Sequence, residues 1–183
     1  MIVDEVQTGM GTTGTAWAYQ QLGLAPDVVA FSKKAQVGGI MAGRRVDEVP
    51  DNVFTVPGRI NSTWGGGLVD MVRSTRILEI VERDGLIEAA GAKGERFVAG
   101  LWALAAANPG VVSNVRGRGL MIAVDLPDPM TRDAVLADLR DGEHLLALPS
   151  GVRAIRFRPA LTISEAEIDH ALAALGATLS RLP

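Results

Sequence analysis

The sequence predicts an α/β fold made of two unlike parts. Residues 2–6 and 27–31 are β-branched, mainly apolar runs without strict alternation, the pattern of buried strands in a parallel sheet. From Leu68 onward the apolar residues instead follow the helical spacing of three and four. We therefore expect part of a large parallel-sheet domain, followed by a smaller α/β domain of helices and short strands.

Loops and short elements are expected between the first strands and the first long helix. Several glycines after the first strand predict a loop, with a short helix over residues 16–22 that ends near Gly23. Further short strands are expected at residues 40–42 and 53–56. Residues 61–67 are polar and rich in glycine, which is typical of a loop at a surface or at a ligand.

Two long helices are expected next. The first begins at Leu68 and ends near Gly85, because glycine commonly terminates helices. The second ends at Asn108-Pro109-Gly110, where the helical pattern stops. The first helix has Leu68, Met71, Val72, Thr75, Leu78 and Val81 at helical spacing. The second has Ile87, Ala90, Gly94, Phe97, Val98, Leu101, Leu104 and Ala105 on one face.

The last part of the chain is expected to combine short strands with helices. Strands are expected at residues 111–115, 120–126, 145–148 and 154–157, with a short helix at residues 133–140. Arg116-Gly117-Arg118-Gly119 is expected to form a hairpin turn, because glycine accepts positive φ. Ser164 and Glu167 form a capping box for a final helix, and Ile163 can pack against Ile168 as a hydrophobic staple.

Composition excludes several classes of function. A net charge of −3 implies no basic face for nucleic acid. The absence of cysteine excludes disulfides and cysteine-based metal sites, and two histidines, His144 and His170, are too few for a histidine-based site and are expected to face solvent. No apolar stretch reaches the roughly 20 residues that span a bilayer. We expect a soluble cytoplasmic protein with no metal, no nucleic-acid partner and no membrane contact.

Two residues of opposite charge follow the two predicted parallel strands. Asp4 ends the first strand and Lys33 follows the second. In an open α/β sheet, ligands lie outside the carboxyl ends of the strands, so both side chains are expected to face one pocket. An amine that forms an imine and an acid that keeps a pyridine nitrogen protonated suit pyridoxal 5'-phosphate. Taken singly, Lys33 could be a surface lysine and Asp4 could cap its own turn.

These stretches resemble the class III pyridoxal-phosphate aminotransferases. The residues that carry the resemblance are Asp4–Gly9, Gly14-Thr15, and Pro26-Asp27 leading to Lys33. Ser32-Lys33-Lys34 is similar to the branch that includes 4-aminobutyrate and lysine 6-aminotransferases. Val37–Arg45, Asn61–Gly66 and Arg156–Pro159 look like lysine 6-aminotransferases. The resemblance runs along the whole chain and covers the carboxyl-terminal portion of the family's chain.

The resemblance implies roles around the cofactor. Lys33 would form the imine and then transfer the proton as a base; counting six residues from Asp27 selects it over its neighbour Lys34. Asp4 would pair with the pyridinium nitrogen, and Gln7 would hydrogen-bond the phenolic oxygen of the cofactor.

Further roles follow for the substrate and for a second subunit. Thr63 would reach the phosphate of the cofactor in the partner subunit, which requires a homodimer with shared active sites; a simple Ser/Thr turn is the alternative. Arg156 would bind the substrate carboxylate, because a guanidinium is a natural bidentate partner for it. Spacing alone does not separate Arg156 from Arg158, and an ion pair between domains is a further alternative. Asn61 would contact the substrate.

The implied fold is that of fold-type I pyridoxal-phosphate transferases. Residues 1–85 would be the carboxyl-terminal part of the large cofactor domain with a linking helix, and residues 86–183 the small carboxyl-terminal α/β domain. Asp4 lies so near the terminus that the chain is expected to be truncated, and the isolated chain is expected to be inactive.

The implied reaction is transfer of the ε-amino group of L-lysine to 2-oxoglutarate. Amino acids and 2-oxo acids would thus be the substrates. A 4-aminobutyrate or ornithine aminotransferase of the same class is one alternative. The other, of a different kind, is an inactive remnant that serves only as an interaction or dimerisation module.

Overall fold

The computed structural model describes residues 1–56 and 58–182. They form two compact units. The first contains Met1–Gly11 and Thr15–Leu86, and the second contains Thr12–Gly14 and the chain from Ile87 onward. Within the described residues, no helix is long and apolar enough to cross a membrane, and no cluster of three potential metal ligands is found.

A three-stranded mixed sheet organises the first unit. It consists of β1 (Ile2–Asp4), β2 (Val28–Phe31) and β3 (Gly39–Ala42). The pairing of β1 with β2 is parallel, as the sequence predicted, whereas β3 is antiparallel to β2. Short 3₁₀ helices lie at Ala18–Leu22, Lys33–Ala35 and Arg44–Glu48, and the first ends at Gly23 with a φ of +64°.

Two expectations for the first unit are wrong. Residues 53–56 form turns and no strand, because the Asn52 side chain donates to the carbonyls of Val46 and Val49 and accepts from the backbone N–H of Phe54. These local side-chain hydrogen bonds compete with strand pairing. The strands are also not buried throughout, since Ile2 is 76% exposed.

Helix α1 (Leu68–Arg83) begins and ends close to the predicted positions. Gly85 follows its end with a φ of +57°, the left-handed conformation that glycine adopts without strain. Of the apolar residues at helical spacing, Val81 is buried, but Leu68 is 82% exposed and Val72 is 71% exposed. The apolar periodicity thus predicts the helix, but it does not predict which of its apolar side chains are buried.

The second unit packs three helices against an antiparallel sheet. The sheet order is β4-β5-β7-β6, with β4 (Ser113–Arg118), β5 (Met121–Asp125), β6 (Leu148–Ser150) and β7 (Ala154–Phe157). The helices are α2 (Leu86–Ala107), α3 (Pro129–Asp141) and α4 (Glu165–Ser180). The predicted strands and helices of this part are present except that residues 145–147 are not in a strand, because β6 begins at Leu148; the strand at 154–157 has the predicted bounds.

The predicted face of α2 lies in the core of the second unit. Phe97 and Leu101 are buried with Val124 and Ile155 of the sheet and with Leu175 of α4. Burial of a side chain of this size stabilises a fold by about 1.5–3 kcal/mol. The sheet is therefore held by apolar contacts with the helices, including Val135 and Leu139 of α3.

Helix starts in this unit follow side-chain caps. The Ser164 hydroxyl accepts from the N–H of Glu167 at 3.2 Å, and the Glu167 carboxylate accepts from the N–H of Ser164 at 2.7 Å, which confirms the capping box. Helix α3 starts earlier than predicted, because Asp128 caps the N–H of Thr131 and Pro129 occupies the first turn.

A close backbone approach joins α2 to the β4–β5 hairpin. The hairpin turns at Gly119-Leu120, two residues later than the centre of the predicted turn, because Arg116, Gly117 and Arg118 belong to β4; Gly119 has a φ of +51°. A Cβ added at Gly94 of α2 would overlap the backbone carbonyl of Gly119, whereas a Cβ at Gly91 would lie 3.7 Å from the nearest atom, Gly14 Cα.

This approach predicts opposite effects for two glycine-to-alanine substitutions in one helix. Gly94→Ala should lower the free energy of unfolding by about 1–3 kcal/mol, because the hairpin backbone must move. Gly91→Ala should raise it by up to about 1 kcal/mol, since alanine favours the helix. Urea denaturation of the purified chain measures both. Equal stabilisation by the two substitutions would contradict the packing described.

Candidate active site

The register of β1 and β2 brings Asp4 and Lys33 to one edge of the first sheet. Asp4 lies opposite Ala30, and Lys33 follows three residues beyond Ala30. Because the two strands are parallel, both residues emerge at the carboxyl ends of neighbouring strands. This placement agrees with the geometry that the sequence predicts.

Lys33 has an unusual backbone conformation. Its φ is +47°, in the left-handed region that residues other than glycine rarely adopt. Gln36, also left-handed with a φ of +57°, donates to the Lys33 carbonyl from its backbone N–H at 2.9 Å and from its side-chain Nε2 at 3.1 Å. Such conformations cost about 1–3 kcal/mol each and cluster at functional sites.

The two neighbouring lysines differ in their surroundings. Lys33 is exposed, and no described residue binds its Nζ. Lys34 is half-buried and interacts with other residues. The strained backbone and the available amine both distinguish Lys33 from Lys34. In the sequence, only the family resemblance separates these two lysines.

Asp4 caps its own turn and still has an oxygen available. Its Oδ1 accepts a hydrogen bond from the N–H of Val6 at 2.9 Å. Within the described part of the chain, its Oδ2 has no hydrogen-bond partner, and the side chain is exposed. The turn cap therefore orients the carboxylate without using both of its oxygens.

Gln7 lies in the turn that follows Asp4. The N–H of Gly9 donates to the carbonyl of Glu5 at 2.9 Å and closes this turn. A Cβ at Gly9 would overlap the Trp17 ring, so only glycine fits here. Gln7 is half-buried beside this closed turn.

Asn61 and Thr63 lie in an exposed loop of the first unit. The N–H of Gly65 donates to the carbonyl of Ser62 at 3.0 Å, which closes a backbone turn. Among the described residues, no hydrogen bond or ion pair connects Asn61 or Thr63 with Asp4 or Lys33. Both side chains are available to another molecule.

Arg156 lies in the second unit on β7, between Ala123 of β5 and Leu148 of β6. It borders a cavity of about 570 Å³ that Arg158, His144 and His170 also line. Both histidines are exposed, as predicted.

The two arginines of this cavity differ in their partners. The Nε of Arg156 is buried without a hydrogen-bond partner, and no described carboxylate forms an ion pair with its guanidinium. Arg158 does interact with other residues.

Two residues near the site were missed in the sequence. Gln36 holds the carbonyl of Lys33, and Glu5 is buried below Asp4. A glutamine in a loop gives no signal of its own. Glu5 could have been noticed as a charged residue at the end of an apolar run, followed by Thr8 at the spacing of one helical turn.

The described geometry and the matching sequences define a class of protein. The class-III aminotransferase family matches residues 1–179, and the chain belongs to this family. This confirms the resemblance seen in the sequence.

Individual relatives show which members of this family the chain resembles. The L-lysine-epsilon aminotransferases of Amycolatopsis lactamdurans and Streptomyces clavuligerus are 58% and 59% identical over 179 residues, which are 98% of this chain and 40% and 39% of theirs. A lysine aminotransferase structure from M. tuberculosis, in the internal aldimine form, is 58% identical with a TM-score of 0.94 over 98% of this chain and 41% of that one. This confirms the expected fold.

One more distant relative is named for a different substrate. A 4-aminobutyrate aminotransferase of Dictyostelium discoideum is 35% identical over 187 residues and matches over 36% of its own length. The chain spans about two fifths of the length of the two L-lysine-epsilon aminotransferases named above.

The residues present fit pyridoxal phosphate by their chemistry. The available amine of Lys33 suits an aldehyde, and the free oxygen of Asp4 suits a protonated ring nitrogen. The amide of Gln7 and the hydroxyl of Thr63 are donors for oxygen atoms of the cofactor.

The comparison of the two lysines predicts where the cofactor attaches. We define the lysine chimera as this chain replacing the matching portion of the Amycolatopsis enzyme. After incubation with pyridoxal phosphate, borohydride reduction and peptide mass mapping, the added mass should be on Lys33. Lys33→Ala should abolish it and Lys34→Ala should not. Lys93, the third lysine of the chain, reports non-specific reaction. Labelling of Lys34 alone would contradict the assignment.

Proposed function

We propose that this chain forms the carboxyl-terminal part of a pyridoxal-phosphate aminotransferase that moves the ε-amino group of L-lysine to 2-oxoglutarate. We infer the reaction type from one observation: Asp4 and the strained Lys33 lie at the carboxyl ends of two neighbouring parallel strands. The choice of lysine is supported by the 58–59% identity to L-lysine-epsilon aminotransferases.

The two units would serve as parts of two domains. We assign residues 1–85 to the cofactor domain with its linking helix, and residues 86–183 to the small carboxyl-terminal domain. A homodimer in the cytoplasm belongs to this proposal. The exposed Thr63 loop supports the dimer, since its side chains are available to a partner subunit.

Four residues would hold the cofactor. Lys33 would bind it through Nζ, Asp4 would hold the proton on its ring nitrogen, and Gln7 would donate to its phenolic oxygen. Thr63 would bind the phosphate in the partner subunit. When bound, pyridoxal phosphate supplies an electron sink for the substrate carbon that loses a proton.

The chain's own residues would perform the proton transfer and the orientation. Lys33 Nζ would take the proton from the reacting carbon of the substrate as a general base and would then deliver it as a general acid. Gln36 donates two hydrogen bonds to the Lys33 carbonyl, which holds the backbone from which this side chain projects. Each half-reaction would use the same amine, which is why one lysine suffices for donor and acceptor.

Arg156 would orient the carboxylate of the substrate. A guanidinium without another ion pair in the described residues can give two parallel hydrogen bonds to a carboxylate. This fixes the distance between the carboxylate and the reacting carbon, and oriented binding of this kind lowers the barrier. Asn61 would add a contact to the substrate from its exposed loop.

A 4-aminobutyrate aminotransferase is the second candidate, favoured by the Dictyostelium relative at 35% identity. Two chimeras separate the candidates: the lysine chimera, and this chain joined to the amino-terminal portion of the Dictyostelium enzyme. We expect only the lysine chimera to be active, with L-lysine and 2-oxoglutarate. Activity only in the other chimera would favour 4-aminobutyrate. If both fold as dimers without activity, the chain is an interaction module.

Removal of the charge at Asp4 should slow the reaction more than it weakens cofactor binding. Asp4→Asn keeps size and the cap on Val6, but it no longer holds the ring nitrogen protonated. In the lysine chimera, we expect kcat to fall by about 10²-fold or more, while the dissociation constant of pyridoxal phosphate changes much less. Turnover measured alongside cofactor titration tests this. Near-normal kcat would leave Asp4 as a turn cap only.

Arg156 and Arg158 should differ when each is replaced by lysine. Arg156→Lys retains the charge but loses the planar fork, so kcat/KM of both half-reactions should fall by about 10²-fold. Arg158→Lys should cost clearly less and is the matched control. The absorbance of bound cofactor should not change in either variant. If Arg156→Lys only reduces soluble yield and the soluble fraction is fully active, Arg156 is structural.

A further inference from the structure

Glu5 is a buried carboxylate in the first unit that the proposed reaction does not use. Only 2% of the surface of this residue is exposed to solvent. Three donors converge on it: the hydroxyl of Thr8, the N–H of Ala18 at 3.1 Å, and the N–H of Tyr19 at 2.7 Å. Within the described residues, no cation pairs with it. Burial of an unpaired charge is costly, so hydrogen bonds must compensate for it.

The donors come from two different segments of the chain. Ala18 and Tyr19 are the first residues of the 3₁₀ helix Ala18–Leu22, and their N–H groups have no partner inside that helix. Thr8 belongs to the turn after β1. Glu5 thus ties the turn to the start of the helix.

The backbone of Glu5 is fixed as well. Its N–H donates to the carbonyl of Ala30 on β2 at 2.9 Å, and its carbonyl accepts from the N–H of Gly9 at 2.9 Å. Because β2 leads directly to Lys33, one residue joins the strand of the lysine to the turn that begins at Asp4.

The turn contains two pairs of side chains, each three residues apart. Glu5 and Thr8 bond to each other, and Glu5 is buried while Thr8 is half-buried. Asp4 is exposed and Gln7 is half-buried. Glu5 and Thr8 are not candidate contacts to the cofactor, but they belong to the same turn as Asp4 and Gln7.

We propose that Glu5 is a positioning residue: its buried carboxylate holds the turn of residues 4–9 so that Asp4 and Gln7 keep the orientation that the cofactor needs. The inference rests on the proposed function, because it assigns Asp4 and Gln7 to the cofactor. It adds a residue that does not touch cofactor or substrate and acts through its neighbours.

The chemistry of the three donors predicts how a glutamine would fail here. A carboxylate offers acceptors on both oxygens, whereas an amide has one acceptor and an NH₂ group that donates. In Glu5→Gln, the NH₂ group would face N–H or O–H donors, and at least one of them would lose its partner. The turn should therefore shift, although the side chain keeps its size.

The experiment uses the lysine chimera with four variants: Glu5→Gln, Thr8→Val, Asp4→Asn and Glu82→Gln. Glu82→Gln makes the same chemical change at an exposed site on α1 and is the matched control. Three properties are measured: the melting temperature of the cofactor-free protein, the dissociation constant of pyridoxal phosphate with the pH dependence of its bound absorbance, and kcat and KM.

Glu5→Gln should lower kcat about tenfold and weaken cofactor binding by about fivefold, the scale of one lost hydrogen bond to a charged group. KM for L-lysine should stay within about twofold, because the substrate contacts are untouched. The pH at which the bound absorbance changes should shift in the same direction as in Asp4→Asn. Thr8→Val should change kcat, cofactor binding and the absorbance profile in the same directions but by smaller amounts. Glu82→Gln should match the unmodified chimera.

A purely structural Glu5 would give a different result. Glu5→Gln would then lower the melting temperature while kcat, cofactor binding and the absorbance profile stay unchanged, and this would overturn the proposal. If Glu5→Gln does not fold, Thr8→Val decides, since unchanged properties there also overturn it. If Asp4→Asn itself has no effect, the proposed role of Asp4 fails; if only Glu5→Gln has none, only this inference fails.

Discussion

The parallel pairing of β1 with β2 is the constraint on which the candidate site depends. In a parallel pair both strands run toward the same edge, and the register is fixed by the backbone ladder. Asp4 lies opposite Ala30, and the N–H of Glu5 extends the ladder to the Ala30 carbonyl. A slip by one residue would turn Asp4 to the other face of the sheet. The register therefore decides on which face of the sheet Asp4 lies at the edge that it shares with Lys33.

Much of the fold could be predicted from apolar periodicity and from the residues that typically begin and end helices. The parallel strands, the long helices and the capping box of α4 rest on patterns that extend over many residues or on a paired motif. The failures are local. Asn52 replaces a strand at residues 53–56 by a turn, because its side-chain hydrogen bonds satisfy the backbone there. Helix α3 starts at a cap followed by proline, Asp128-Pro129, which is a local signal that apolar periodicity does not contain.

The candidate site shows a similar limit at the level of single residues. Local sequence left two pairs of candidates, Lys33 with Lys34 and Arg156 with Arg158, and only the family resemblance favoured Lys33 and Arg156. The structure separates them by properties that have no sequence pattern: a left-handed φ at a residue other than glycine, and a guanidinium without an ion pair among the described residues. Both depend on the surrounding chain, so local propensity could not supply them.

The apolar residues exposed on α1 bear on how a complete site would assemble. Leu68 is 82% exposed and Val72 is 71% exposed, and Trp64 of the preceding loop is 86% exposed. Clustered exposed apolar side chains mark contact surfaces in soluble proteins. Thr63 precedes Trp64 in that loop and is exposed as well. In the homodimer proposed above, the partner subunit would contact this loop, and Thr63 would bind the phosphate of the partner's cofactor.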